Sequence, residues 1–85
     1  MPQEVTVLCF GPARQAAGTS RFLFEVPSAG IRSSELVAAL AQARPRLRPT
    51  LQVSRFLLNG EVIGPRARRA RPGDEFAIHP PYGGG

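Results

Sequence analysis

The chain has 85 residues, a formal net charge of +5 and 42% apolar residues, which suits one small domain burying roughly 60–65% of its unfolded surface. No run of about 18 apolar residues is present to span a membrane, and Met1-Pro2-Gln3-Glu4 lacks the basic-then-apolar pattern of a secretory signal, so the expected location is the cytoplasm. A single cysteine and a single histidine exclude an internal disulfide and leave no zinc-ligand set.

All 11 basic residues are arginine, so no side-chain amine is available for a Schiff base or an isopeptide bond. A basic balance of this kind reads either as a nucleic-acid footprint or as an arginine-built solvated surface that steers toward an acidic protein. The densest stretch, Arg66, Arg68, Arg69 and Arg71, is read as a solvated loop, with an acidic partner surface or phosphate as its functional alternatives.

The first predicted strand is Val5-Thr6-Val7-Leu8-Cys9-Phe10, stopped by Gly11-Pro12. Alternation places Val5, Val7 and Cys9 inward and Thr6, Leu8 and Phe10 outward. Cys9 is thus a small core hydrophobe rather than half of a dyad with His79. Residues 13–20 form a loop or short helical turn closed by Gly18. The second strand, 21–26, turns Phe22, Phe24 and Val26 inward and pairs antiparallel with the first.

A helix is predicted from Ser33, its N-cap, to Arg44. Glu35 lies in its first turn, Leu36, Val37, Leu40 and Ala43 form its apolar stripe, and Pro45 ends it. Residues 45–52 read as irregular, with Leu47 and Leu51 as core plugs. A third strand, 53–58, closes through Asn59-Gly60, the strongest two-residue hairpin signal, onto 61–63. Pro72-Gly73-Asp74 is a turn. The last strand, 75–79, points Phe76 and Ile78 inward and Ala77 and His79 outward. The order is β-β-α-β-(β)-β. It predicts an α+β domain with one main helix on one face of a small mixed sheet, the β-grasp or ubiquitin-like roll.

The end of the chain carries the functional signal. The β-grasp domain spans 1–79, and 80–85 reads as a flexible tail, Pro80-Pro81-Tyr82-Gly83-Gly84-Gly85. The prolines stiffen the exit from the last strand and cannot extend its ladder. Fully extended, six residues reach roughly 20 Å. Glycines without a Cβ thread a slot too narrow for other residues. This design fits a carboxylate delivered into a partner's active site; a frayed terminus or a cloning scar is the plain alternative.

Asn59-Gly60-Glu61, the run from Pro72 to Gly85, Glu35–Leu40 and Arg44-Pro45-Arg46-Leu47 together resemble the MoaD/ThiS family of ubiquitin-like sulfur carriers, over essentially the whole chain. Pro80-Pro81 resembles the molybdopterin synthase branch more than the thiazole branch. The resemblance implies that an E1-like (MoeB/ThiF-like) adenylyltransferase uses ATP to activate the Gly85 carboxylate. A donor such as a cysteine desulfurase or rhodanese then converts it to a thiocarboxylate, and a MoaE-like large subunit takes the sulfur for the molybdenum cofactor. The carrier itself is then not an enzyme and binds no cofactor. The resemblance also assigns Phe10, Val62 and His79 to partner contacts, and Pro80, Pro81, Tyr82, Gly83 and Gly84 to threading. His79 stands where the family usually has an apolar or aromatic residue, and Arg32 stands where a capping threonine is common. Other sulfur pathways (thiamine thiazole, tRNA thiolation, cysteine synthesis) and protein modification use the same tail chemistry. A basic RNA-binding β-grasp module is the reading from a different class; the sequence shows no aromatic stacking platform with interleaved arginines to support it.

Overall fold

A computed structural model describes residues 3–64 and 68–81. Tyr82, Gly83, Gly84 and Gly85, and Arg66 of the arginine stretch, lie outside the described residues, so the tail proper is not placed.

Strand β1 (Glu4–Cys9) leads through a short helix, α1 (Pro12–Ala17), into β2 (Arg21–Glu25). Pro12 opens α1 and Gly18 closes it in the left-handed region, donating its N–H to the Arg14 carbonyl at 2.9 Å. A two-residue strand, β3 (Ile31–Arg32), runs into the main helix, α2 (Ser33–Ala43). A 3-10 turn at Pro45–Leu47 and helix α3 (Arg48–Val53) follow, then the hairpin of β4 (Arg55–Leu58) and β5 (Glu61–Ile63). The chain closes with β6 (Arg69–Ala70) and β7 (Glu75–His79).

Five strands form one sheet in the order β2-β1-β7-β4-β5, with β3 and β6 as a separate pair. β1 and β7 run parallel, and every other pairing in the large sheet is antiparallel. The last strand therefore lies in the middle of the sheet. Alternation sends Val5, Val7, Cys9, Leu58, Phe76 and Ile78 to one face, where they pack with Leu36, Leu40, Leu47 and Leu51 in a single core. Phe76, Ile78, Val5, Val7, Leu36, Leu40 and Leu47 are fully buried. This is the mixed-sheet β-grasp arrangement expected, with the helical layer on one face only.

Local expectations are corrected in several places. The cap of α2 is Arg32 rather than Ser33. Arginine's side chain only donates and cannot accept from the helix amides. Instead the Arg32 N–H donates to Glu35 Oε1 at 3.3 Å, the returning half of a capping box. Ser33 moves inside the helix, is buried, and its Oγ has no hydrogen-bond partner among the described residues. Residues 45–53 are helical rather than irregular: Pro45 and Pro49 stand in first turns, where a missing N–H costs nothing. Val53 belongs to α3, not to a strand, and is exposed.

Part of the arginine stretch is structural rather than a solvated loop. Arg69 Nη1 donates to the Gly30 carbonyl at 3.1 Å, and β3 and β6 pair there. Gly30 sits at φ +88, and a Cβ on it would meet Arg69 Cγ at 2.8 Å and the Ala70 carbonyl at 2.9 Å, so only glycine lets the two strands approach. The Asn59-Gly60 turn has positive φ at both residues, 51 and 86, as the expected two-residue hairpin requires. Arg44, just past α2, lays its guanidinium 3.9 Å over the Phe22 ring and donates to the Ala17 carbonyl at 3.1 Å, which covers the half-buried aromatic of the edge strand.

Candidate docking face and tail exit

Because β1 and β7 are parallel neighbours with Cys9 opposite Ile78, the next residues, Phe10 and His79, emerge together at one end of the sheet. The Phe10 N–H donates to the Ile78 carbonyl at 3.3 Å. The two rings stack with centroids 4.2 Å apart and planes inclined by 23°. Phe10 remains 44% exposed, and the chain leaves it at Gly11, whose φ is +51. On the other side, His79 lies opposite Arg55 of β4. The tail thus starts from the centre of the sheet, where Pro80 and Pro81 end a ladder flanked on both sides.

Val62 completes the predicted contact set from the far side. It lies opposite Leu57, which lies opposite Ala77, which lies opposite Leu8. These four form one apolar row across the face that no helix covers. A shallow cleft of about 440 Å³ joins Val53, Leu57 and Val62 to His79, Pro80 and Pro81. Ala77 points to this outer face as expected, yet it is buried, because larger side chains flank it on both neighbouring strands. The sequence reading singled out Phe10, Val62 and His79 and passed over Leu8, Leu57 and Ala77. Their outward parity was readable from alternation; what joins them is the insertion of β7 between β1 and β4.

Cys9 lies on the opposite side of the sheet from the His79 ring, 2% exposed, so the two form no dyad. Burial pushes its thiol above its ordinary range, partly offset by the Arg44 guanidinium, which leaves it a poor nucleophile. No cluster of three metal-ligating side chains occurs among the described residues, and no helix there is long and apolar enough to cross a membrane. Among the described residues, the uncovered face combines this apolar row with the His79-Pro80-Pro81 exit of β7.

Comparison with known proteins gives the family and the fold. The chain is 35% identical over 83 residues to a molybdopterin synthase sulfur carrier subunit of Chlamydomonas reinhardtii, covering 96% of this chain and 99% of the relative. It is 28% identical to the protein of the same name from Dictyostelium discoideum, over the full length of both. The fold matches SAMP1 from Haloferax volcanii with a TM-score of 0.79 at 24% identity, covering 96% of this chain and 99% of that one. The ThiS family profile matches residues 7–85, and with the near full-length relatives it establishes that the chain belongs to the ThiS family, the MoaD/ThiS group of ubiquitin-like sulfur carriers.

Proposed function

We propose that this chain is the sulfur carrier subunit of a molybdopterin synthase, working through the carboxylate of Gly85. The observation that carries the reading is the 35% identity, over nearly the whole of both chains, to a carrier subunit of that name. In support of it, the described residues form a β-grasp body that ends at His79, and Pro80 and Pro81 leave it beside an uncovered apolar face.

The chemistry follows from the tail. A carboxylate is a poor electrophile, because its charge repels nucleophiles and oxide is a bad leaving group. Attack of the Gly85 carboxylate on the α-phosphorus of ATP releases pyrophosphate and gives an acyl-adenylate. A sulfide equivalent then attacks the acyl carbon and AMP leaves, so the tail ends in a thiocarboxylate. An E1-like adenylyltransferase supplies the first step; a cysteine desulfurase or rhodanese supplies the sulfur as a persulfide, which a thiol reductant brings to the sulfide level while being oxidised to a disulfide. The large synthase subunit receives the tail and catalyses transfer to the pterin. The carrier needs no general base of its own and acts in the cytoplasm. Phe10, Val62 and His79 anchor docking, Pro80 and Pro81 aim the tail, and Tyr82, Gly83 and Gly84 thread it.

Reconstitution tests the reading: the chain, the activating enzyme and the large subunit from the same source are combined with ATP, sulfide and the pterin precursor. Dithiolene formation that requires ATP and an intact Gly85 is the expected result. A chain that is never adenylated, or product formed equally well without Gly84-Gly85, contradicts it.

A further inference from the structure

The uncovered face is also graded in charge along its strands. β2 runs antiparallel to β1, and β7 parallel to it. β2 begins with Arg21 and ends with Glu25, β1 begins with Glu4, and β7 begins with Glu75 and ends with His79. Topology therefore gathers Glu4, Glu25 and Glu75 at one end of the face, with Glu4 directly opposite Glu25. Arg21 lies opposite Leu8 and Arg55 opposite His79, so both arginines are at the other end, around the tail exit. Four residues of strand, about 13 Å, separate Glu25 from Arg21 along β2 and Glu75 from the Arg55–His79 register along β7. The two strands are offset by two residues, since Glu75 lies opposite Thr6 and Arg21 opposite Leu8, and the Leu8-Ala77-Leu57-Val62 row is level with Arg21.

None of these charges forms an ion pair among the described residues. The ion pair between Arg68 and Glu61, away from this face, is the only one among the described residues, and like charges placed directly opposite on neighbouring strands are destabilising. Arg21, Arg55, Glu25 and Glu75 are all exposed.

The geometry points to a polarised docking surface. Resting on the function proposed above, it fits a large subunit whose apolar landing site carries acidic side chains at the mouth that receives the tail, and basic side chains at the far rim. The pattern selects one of the two ways of laying the sheet on its partner. The reversed pose sets like charges together, and only the favoured pose aims Pro80-Pro81 at the mouth. A nucleic acid fits worse, because a phosphate backbone crossing the face meets Glu4, Glu25 and Glu75. A second copy laid antiparallel satisfies the charges but covers the tail exit.

Association with the large subunit from the same source, measured by stopped flow across ionic strength, tests this. Reversing the rim by the pair Arg21→Glu and Arg55→Glu should slow association by about 10-fold or more at low salt. The pair Glu25→Lys and Glu75→Lys is the sharper probe, since it raises the formal net charge from +5 to about +9. A partner that reads only net charge then binds faster, whereas a polarised face binds about threefold or more slowly. Thermal melts check folding, and the corresponding Arg→Gln or Glu→Gln pair replaces a charge reversal that unfolds. If the wild-type chain does not bind the large subunit, the functional reading fails and the inference falls with it. Wild-type binding with both reversals unchanged within about twofold, or faster association of the lysine pair, overturns the inference alone. Tighter binding to a single-stranded RNA 20-mer than to the large subunit, or self-association that both reversals abolish, assigns the face to a different occupant and overturns it as well.

Discussion

The two faces of the central sheet are built from the same strands and end in opposite conditions. On one, Val5, Val7, Phe76 and Ile78 meet α2 and α3 and lose all contact with solvent. On the other, Leu23 and Val62 remain 59% and 61% exposed, and Phe10 stacks only on His79. Adjacent residues such as Phe76 and Ala77 therefore answer to different demands. The covered face holds the fold, and the uncovered face keeps large apolar side chains in solvent, as the proposed docking role requires. The chain leaves the sheet at Pro80 from β7, its central strand.

The largest expected effect separates the tail from the fold altogether. Deleting Gly85, or adding a residue after it, should reduce thiocarboxylate loading to background in the reconstituted reaction, while the melting temperature moves by no more than about 2 °C. Unfolding on loss of the tail would join what the account keeps apart. Truncation on the covered face comes next. Phe76→Ala should cost about 3–5 kcal/mol in denaturant unfolding, a range set by transfer and cavity terms. Phe10→Ala should cost under about 1 kcal/mol of stability, yet weaken partner binding by about 2 kcal/mol, or roughly 30-fold, as a central aromatic anchor does. Equal stability losses at Phe10 and Phe76 would erase the distinction between the faces.

Smaller effects sharpen the picture of what the fold does not depend on. Arg68 and Glu61 approach to 2.8 Å with side chains 49% and 69% exposed. A double-mutant cycle should give a coupling below about 1 kcal/mol, screened by salt. Cys9 contributes nothing to pH dependence below its ordinary pKa of 9.0, because both states then hold the proton. Above that pH the unfolded chain releases a proton that the buried thiol retains, so stability falls as pH rises. Replacing Cys9 by alanine should flatten this alkaline slope in urea titrations, and an unchanged slope would place its origin elsewhere.

Much of this was legible in the sequence because it is local. Alternation along residues 5–10 and 75–79 assigned the buried side chains, and Asn59-Gly60 specified its hairpin. Other features depend on distant partners. The β3–β6 pair has two residues per strand and forms only because Gly30 lets Arg69 and Ala70 approach. Ala77 reads as an outward residue, and its burial comes from Leu8 and Leu57, nearly 70 and 20 positions away. Pro45 reads as a helix stop, although the same missing N–H suits the start of the 3-10 turn it opens. For the docking face, Phe10, Val62 and His79 came from family resemblance and outward parity. The apolar row that connects them, and the charge gradient across it, required the strand order.

The most direct test of the account is the intact mass of the chain purified from its own cells under non-reactive conditions. A fraction heavier by about 16 Da, one oxygen replaced by sulfur, should appear. Fragmentation should place that mass on Gly85, and it should be lost on incubation with the large subunit and pterin precursor. A chain that carries no sulfur even in cells making molybdenum cofactor, or that carries it on Cys9 instead, would contradict the claim that its terminal carboxylate is the working group.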